Sequence, residues 1–336
     1  MTAPVLEVRD LQVELSLGRG AVHPVRGASF DVLPGEALGL VGESGSGKTM
    51  ALRAIVGLLP RVGSITGGSI SLDGEDLNAI GEGRRRELRG RSISMIFQEP
   101  MTALNPVMRV GDQIAEIPRL RLGRSRAQAH DRALELMRLV GIPDPVRRMR
   151  AYPHELSGGL RQRVMIAIAL SGDPRVILCD EPTTALDVTI QDQILKLLDS
   201  LRERLGVAIV FVSHDLAVIA QTCRRVVVMY GGMVAETGPV ESVFRNPRHP
   251  YTLSLLRSVP DYDLVRDRLA AIPGAPPDIA SPPGGCPFHP RCPFAQEDCK
   301  AGEFAPRALS ADRATACIHP EACETDVARE PVIASD

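Results

Sequence analysis

The residues best suited to chemistry form one glycine-rich stretch, Gly42-Glu43-Ser44-Gly45-Ser46-Gly47-Lys48-Thr49. It matches the phosphate-binding pattern G-x-x-x-x-G-K-S/T at every fixed position. In such a loop, backbone N–H groups curl around phosphate oxygens, the lysine reaches the β- and γ-phosphates, and the last hydroxyl binds Mg²⁺. The residues expected to bind a nucleoside triphosphate are Gly42, Ser44, Gly45, Ser46, Gly47, Lys48 and Thr49.

The flanking sequence supplies the elements that such a loop requires. Residues 37–41 form an apolar run typical of a buried strand, and residues 50–56 are predicted to form the helix that the loop opens. A glycine-rich turn without a ligand is the alternative interpretation. The further motifs along the chain argue against that alternative.

A second group of candidate residues ends three predicted strands. Residues 175–181 form an apolar run that ends in Asp180 and Glu181. We expect Asp180 to hold Mg²⁺ through water and Glu181 to polarise an attacking water. Gln98 and His214 each follow an apolar run and are expected to face the γ-phosphate. Taken singly, these carboxylates could cap a turn and the histidine could be structural, but the phosphate loop favours catalysis.

Composition narrows the classes of function. The chain has 336 residues, enough for one large domain with an appendage or for two domains, and its formal net charge is −2. A charge near zero gives no reason to expect nucleic acid or anionic lipid as a partner. No run approaches the roughly 18 apolar residues of a membrane span and no secretory signal opens the sequence, so we expect a cytosolic location.

The order of the elements favours an α/β fold. An antiparallel β layer is predicted first, then helices, then buried strands that alternate with helices, which indicates a largely parallel sheet with ligands at its C-terminal edge. The predicted strands are 5–15, 28–32, 37–41, 69–74, 92–97, 175–181 and 207–214, and the helical regions include 107–150, with one helix from 127 to 140, and 164–170.

Over roughly residues 5–240, the sequence resembles the ATP-binding subunits of ABC transporters. Leu156-Ser157-Gly158-Gly159 matches the family's signature, and Thr184-Ala185-Leu186-Asp187 matches its D-loop. Gln98 and His214 match its Q-loop and its switch histidine. The resemblance implies a P-loop NTPase fold of the RecA-like type, with ATP and Mg²⁺ as ligands. The implied ABC domain is 1–245, with its helical subdomain at about 100–165.

The resemblance also implies how the domain works. It predicts a head-to-tail dimer in which Ser157, Gly158 and Gly159 of one subunit cap the γ-phosphate held by the other, close to the D-loop residue Asp187. The implied Mg²⁺ ligands are Thr49, Gln98 and, through water, Asp180, and the implied catalytic residues are Glu181, His214 and Gln98.

Two positions depart from the family pattern. Leu160 replaces the usual signature glutamine. We expect this replacement to have a mild effect on ATP binding, because Ser157 and Gly159 make the phosphate contacts. Leu15 and Leu17 occupy the region where an aromatic residue usually stacks on adenine. We therefore expect adenine to rest on an aliphatic surface.

A narrower resemblance is to the D-type ATPases of dipeptide and oligopeptide permeases, a group that includes nickel importers. The segments that carry it are 96–106, 152–159 and 246–252. It implies a C-terminal extension of the permease type at 246–323, and we expect a disordered tail at 324–336. The cargo, whether dipeptide, longer peptide or nickel, stays open.

This narrower resemblance also implies the partners. They are a second, F-type ABC ATPase in a heterodimer, two transmembrane permease subunits, and, through the permease, an extracytoplasmic substrate-binding protein, with the chain peripheral on the cytoplasmic face of the membrane. One rival is a soluble ABC ATPase that acts on DNA or ribosomes. No basic, aromatic-interleaved patch flanks the cysteines, so we expect no nucleic acid. A third hypothesis is a cytosolic metal-sensing switch. The complete set of hydrolytic motifs argues against it.

Five of the seven cysteines crowd the C-terminal region after a Pro/Gly-rich connector at 272–285. Cys286, Cys292, Cys299 and Cys317 are the candidate ligands, with Cys323 as a spare. Four thiolates suit zinc or an iron–sulfur cluster, and the spacing alone leaves the metal open, with zinc slightly favoured and His289 or His319 as possible substitutes. The resemblance to the D-type subunits implies instead a 4Fe-4S cluster with a structural role. Zn²⁺ and free thiols are the alternatives.

Overall fold

The computed structural model describes residues 2–18, 20–184, 186–258, 271–302 and 304–329. The strands are β1 (Leu6–Leu17), β2 (Gly20–Val32), β3 (Ala37–Val41), β4 (Gly63–Leu72), β5 (Glu75–Asp76), β6 (Ile93–Ile96), β7 (Val176–Asp180), β8 (Ala208–Ser213), β9 (Arg225–Tyr230), β10 (Met233–Pro239), β11 (Arg307–Ser310) and β12 (Arg313–Thr315). The helices are α1 (Lys48–Val56), α2 (Glu82–Leu88), α3 (Pro100–Ala103), α4 (Val110–Arg121), α5 (Arg126–Leu139), α6 (Pro145–Arg148), α7 (Gly158–Leu170), α8 (Val188–Leu205), α9 (Leu216–Thr222), α10 (Val240–Arg245), α11 (Pro250–Arg257) and α12 (Pro320–Arg329).

The chain divides into two compact units. The first comprises Met1–Leu6, Val32–Ala37 and Ser71–Val212, and the second comprises Glu7–Asp31, Leu38–Ile70 and Ser213–Asp336. Among the helices that the structure describes, none is both long and apolar enough to cross a membrane.

Three parallel strands form the centre of the first unit. Ile93 of β6 pairs with Val176 of β7, which pairs in turn with Ala208 of β8. Every residue of β7 and β8 is buried, as expected for strands covered on both faces. The C-terminal ends of these strands therefore lie at one edge, where Gln98 and Glu181 follow β6 and β7.

The helices of the first unit pack mainly on one another. α4 packs against α5 and α7, and α5 also packs against α7. A capping box begins α5, because the Ser125 side chain accepts from the Gln128 N–H and the Gln128 side chain accepts from the Ser125 N–H. The helix predicted at 127–140 is confirmed as α5, and its end precedes Gly141, which has φ +73°.

The second unit contains the strand that leads into the phosphate-binding loop. β3 pairs in parallel with β9, and β9 pairs antiparallel with β10. In a separate layer, β1 lies between β2 and β4. The burial of β1 alternates over much of its length, which confirms the predicted half-buried strand.

The C-terminal region extends the sheet of the second unit. β10 pairs with β12, and β12 pairs with β11, both antiparallel. Neither strand was predicted from the sequence, because β11 is exposed at all four positions and lacks an apolar alternation.

The tail differs from the sequence-based expectation of disorder from residue 324 onwards. α12 runs from Pro320 to Arg329 and so includes the first positions of that segment, while 330–336 lie outside the described residues. Cys323 is fully buried, and Glu324 and Asp326 pair with Arg248 and Arg257 at 2.6 and 2.5 Å. These contacts fix a segment whose polar composition alone indicates disorder.

One buried carboxylate joins three parts of the second unit. Glu236, on β10, has no exposed surface. It accepts hydrogen bonds from the Arg313 guanidinium at 2.8 Å and from the backbone N–H groups of Arg248 and His249 at 3.0 and 3.1 Å. Because Arg313 lies on β12 and His249 precedes α11, this carboxylate fixes both elements to β10.

We predict that Glu236→Gln lowers the free energy of unfolding by about 3 kcal/mol, because it leaves the Arg313 charge buried without a counter-charge. Urea unfolding followed by circular dichroism measures this change. Glu324→Gln is the matched control, since the Glu324 side chain is 56% exposed, and it should cost less than about 1 kcal/mol. Equal losses in the two variants would contradict the assignment.

Candidate nucleotide-binding site

The predicted phosphate-binding loop connects β3 to α1 and already has a curled backbone. Lys48, which is 6% exposed, donates from Nζ to the carbonyl oxygens of Gly42 and Glu43 at 2.7 and 2.8 Å and to Ser46 Oγ at 3.2 Å. The ammonium group therefore lies inside the loop on which the phosphates are expected to bind. An anion bound in the loop would interact with the positive charge of Lys48 without further rearrangement of the backbone.

Two glycines of the loop have no room for a side chain. Gly42 has φ +147°, and a Cβ there would lie 2.1 Å from the Met229 carbonyl oxygen. Gly47 has φ +101°, and a Cβ there would lie 2.2 Å from the Pro24 carbonyl oxygen. The glycines that the pattern requires are therefore needed for both the backbone conformation and the close approach of neighbouring strands.

The start of α1 adds to the attraction for anions. Gly47 is its N-cap and supplies no side-chain cap, and the first turn contains no acidic residue. The first N–H groups of a helix have no intrahelical acceptor and carry partial positive charge. Thr49 lies in this first turn.

The structure brings two of the predicted catalytic residues into contact in the first unit. Gln98 donates from Nε2 to Glu181 Oε2 at 3.1 Å, and Thr184 donates from Oγ1 to the same oxygen at 2.9 Å. Glu181 has φ +47°, a left-handed conformation that is costly for a residue with a side chain. The neighbouring Asp180 is 3% exposed at the end of β7. Two carboxylates thus occupy the edge at which β6 and β7 end.

His214 directly follows β8 and is exposed. Asp215 accepts from the Ala217 N–H at 2.9 Å and caps α9, and its own N–H donates to Ser213 Oγ at 2.9 Å. These bonds fix the backbone on the C-terminal side of the histidine. His214 therefore stands at the C-terminal end of β8.

The signature residues form the exposed beginning of a long helix. Ser157 is the N-cap of α7 and makes no side-chain capping bond, and Gly158 is also exposed. A Cβ at Gly159 would lie 2.9 Å from Ile190 Cγ2, so glycine permits the close approach of α8. Asp187 is the exposed N-cap of α8. A serine hydroxyl and a helix N-terminus that face outwards can bind an anion carried by another molecule.

The four candidate cysteines of the C-terminal region line one cavity. Cys286, Cys292, Cys299 and Cys317 share it with His249, Pro250, Phe288, His289, Phe294, Phe304, Ile318 and His319. Burial raises the pKa of Cys292 to about 11 and that of Cys317 to about 12. Both are therefore neutral thiols at pH 7 unless a metal displaces their protons.

The spacing of the ligands bears on which metal would fit. Four sulfurs bound to one zinc ion at about 2.3 Å lie about 3.8 Å from one another. Across the described ranges, the one group of three potential ligands with donor atoms all within 4.8 Å of one another is Asp298, Cys299 and His319. No three of the four cysteine sulfurs therefore lie within 4.8 Å of one another.

The residues that sequence reasoning missed surround the phosphate-binding loop. Glu43, at a variable position of the loop, contacts Arg291 through its carboxylate and Tyr251 through its N–H. Tyr251 belongs to the segment 246–252, which served only as a family marker in the sequence. A partner 248 positions away leaves no local pattern, so only the position of Arg291 beside Cys292 could have drawn attention to it.

Comparisons with known proteins agree with this geometry. Residues 25–184 match the family described as ABC transporter, and residues 235–299 match the one described as oligopeptide/dipeptide transporter, C-terminal region. The chain therefore belongs to the ATP-binding subunits of ABC transporters, and its fold is the ABC ATPase cassette. ATP hydrolysis is the activity of this cassette.

Particular relatives cover most of the chain. A peptide import ATP-binding protein of Brucella abortus (strain 2308) is 48% identical over 89% of this chain and 90% of its own length. The dipeptide transport ATP-binding protein DppD of Escherichia coli (strain K12) is 44% identical over 94% of this chain and 97% of its own length. A solved dimeric ATP-binding cassette in a post-hydrolysis state with ADP and Pi is 28% identical, with a TM-score of 0.62, and covers 70% of this chain and 98% of its own length.

We predict that Gly47→Ala weakens the binding of a fluorescent ATP analogue roughly 30-fold, because strain and collision cost about 2 kcal/mol. Gly45→Ala is the matched variant, since Gly45 has φ +79° but a Cβ there would meet no atom within 4 Å. It should lose only about fivefold, from backbone strain alone. If both variants lose the same affinity, the collision with Pro24 does not shape the loop.

Proposed function

We propose that this chain is the ATP-hydrolysing subunit that powers an ABC importer of dipeptides or oligopeptides across the cytoplasmic membrane. One observation carries the proposal: an ABC cassette and an oligopeptide/dipeptide transporter C-terminal region occur together on one chain. Relatives that cover most of the chain are named for peptide import and dipeptide transport, which supports a peptide cargo.

Binding of ATP is assigned to the loop of the second unit. Lys48 would exchange its bonds to the Gly42 and Glu43 carbonyls for bonds to the β- and γ-phosphates. The N–H groups of the loop and of the α1 start would hold the remaining oxygens. Mg²⁺, when bound, neutralises phosphate charge, and its proposed ligands are Thr49, Gln98 and, through water, Asp180. All three offer oxygen atoms, which Mg²⁺ prefers.

Hydrolysis is assigned to Glu181 as the base that polarises the attacking water. The Gln98 amide and the Thr184 hydroxyl both donate to its Oε2, so they orient the carboxylate that would accept a proton from water. His214 is proposed to sense the γ-phosphate. The strained backbone at Glu181 supports this assignment, since such conformations cluster at active sites.

The proposed working unit is a pair of cassettes. Ser157, Gly158 and Gly159 of each chain would cap the γ-phosphate held by the other, close to Asp187. We propose an F-type ABC ATPase as the partner, two transmembrane permease subunits, and an extracytoplasmic binding protein reached through the permease. The chain would lie on the cytoplasmic face of the membrane. Its ABC domain would be 1–245, with the helical subdomain at about 100–165, and its C-terminal extension 246–323.

A 4Fe-4S cluster is proposed at Cys286, Cys292, Cys299 and Cys317. Their shared cavity supports a common ligand, and the absence of three of these sulfurs within 4.8 Å of one another in the described residues supports a cluster over a single zinc ion. When bound, the cluster would cross-link parts of the chain that have little core of their own. The group Asp298, Cys299 and His319 keeps zinc as the alternative.

We predict that Glu181→Gln lowers the rate of ATP hydrolysis at least about 100-fold, because the amide accepts no proton from water. Affinity for ATP should remain, since the phosphate-binding loop is unchanged. Phosphate release and nucleotide binding measure the two effects separately. Glu203→Gln, which changes a side chain 66% exposed on α8, is the control and should hydrolyse at the parental rate. A parental rate in Glu181→Gln would remove Glu181 from the role of base.

We also predict that protein purified without oxygen is brown and contains about four iron atoms per chain. Cys292→Ser should lose this iron, because Cys292 lines the cavity. Cys323→Ala should keep it, because Cys323 is buried but is not among the residues that line the cavity. Iron and zinc analysis of the parental protein, Cys292→Ser and Cys323→Ala tests these expectations. Colourless, iron-free parental protein would refute the cluster, and stoichiometric zinc in its place would support the alternative.

A further inference from the structure

The C-terminal region reaches the nucleotide-binding loop through one arginine. Arg291 is part of the cysteine module, here defined as residues 286–319, and directly precedes Cys292. Its side chain is 5% exposed. The guanidinium donates from Nη1 and Nη2 to the two carboxylate oxygens of Glu43 at 2.7 and 3.1 Å. This two-pronged ion pair joins the module to the loop that curls around Lys48.

The remaining donors of Arg291 are anchored as well. Nε donates to the Pro273 carbonyl at 2.7 Å, Nη2 to the Ile272 carbonyl at 3.3 Å, and Nη1 to the Tyr230 hydroxyl at 3.1 Å. The guanidinium carbon also lies 6.0 Å from the ring centre of Phe288. These contacts hold the fork in one orientation, so a rigid group rather than a mobile surface charge meets Glu43.

Glu43 is held by its backbone as well as by its carboxylate. Its N–H donates to the Tyr251 hydroxyl at 2.7 Å, and its carbonyl accepts from Lys48 Nζ at 2.8 Å. Tyr251 is fully buried, with its ring centre 4.4 Å from that of Tyr230 and 5.4 Å from that of Phe288. Phe288 lies between Cys286 and Cys292 and lines the cysteine cavity. A side chain of the module therefore packs on the tyrosine that is hydrogen-bonded to the loop.

The carboxylate of Glu43 carries a negative charge in a loop that is proposed to bind a polyanion. The positive charge of Arg291 compensates it. The carboxylate would otherwise repel the phosphates, so the first role of the pair to consider is compensation of charge. The second is mechanical, since two hydrogen bonds from Arg291 and one to the Tyr251 hydroxyl hold Glu43. Three further hydrogen bonds hold the Arg291 guanidinium in place. The buried and fully engaged geometry favours the mechanical role.

We propose that Arg291 is a positioning residue for the nucleotide-binding loop and that the cysteine module sets nucleotide affinity through its pair with Glu43. Whatever fixes Cys292 in the module also fixes the residue beside it, and so the loop. The inference rests on the ATP site of the proposed function, but it does not depend on which metal the cysteines bind.

The test is the affinity of the purified full chain for a fluorescent ATP analogue with Mg²⁺. Arg291→Gln is expected to raise the Kd about tenfold, or ~1.4 kcal/mol. Arg291→Lys should not restore affinity, because an ammonium keeps the charge but cannot form the fork. The control is Arg248→Gln, which removes the pair with Glu324 in the same region without touching the loop. It should bind like the parent.

A double variant separates the mechanical role from charge compensation. Arg291→Gln combined with Glu43→Gln removes both charges, so affinity would return to the parental value if charge alone mattered. The proposal expects it to stay about tenfold weaker. Parental affinity in Arg291→Gln, or in the double variant, would overturn the proposal.

Glu43→Gln alone covers the case in which the arginine variants do not fold. It leaves Arg291 bonded to Pro273 and Tyr230 but releases the loop, so the proposal expects weaker binding, whereas loss of a negative charge alone would strengthen it. Parental or tighter binding in this variant would overturn the proposal. A parental chain that binds no ATP would refute the proposed function instead, and iron and zinc analysis of the same preparations reports on the cysteine site separately.

Discussion

Backbone N–H groups that converge on a phosphate require a chain that bends back on itself, and the rest of this structure depends on that turn. The loop between β3 and α1 achieves it with glycines at Gly42 and Gly47, where neighbouring carbonyls leave no room for a Cβ. Lys48 bridges two carbonyls of the same loop. The loop is therefore shaped by strands β2 and β9 on its outside and by one ammonium on its inside.

The motifs of the nucleotide-binding site could be predicted from the sequence because each is short and stands next to a recognisable element. Asp180 and Glu181 end an apolar run, Gln98 ends another, and the contact between Gln98 and Glu181 follows from the common edge of parallel strands. The strand and helix around the loop were predicted for the same reason. Periodicity and glycine pattern are local, and so is the information they carry.

The contacts that the sequence did not reveal are those between distant segments. Glu43 and Arg291 are 248 positions apart, and neither residue type is unusual at its place. β11 and β12 have no apolar alternation because the sheet edge that they extend faces solvent at β11. α12 is polar, and its buried Cys323 and its ion pairs to Arg248 and Arg257 help to hold it in place. Such features depend on tertiary partners, which override local propensity.

In the proposed function, ATP hydrolysis by this chain drives the movement of a peptide across a membrane, so a transport assay is the most direct test. The measurement is uptake of a labelled dipeptide or oligopeptide into vesicles that hold the assembled importer, alongside phosphate release on the side of the ATPase. The account predicts that uptake requires ATP and that phosphate release rises when the peptide is supplied. ATP hydrolysis by the assembled complex without any peptide uptake would contradict it.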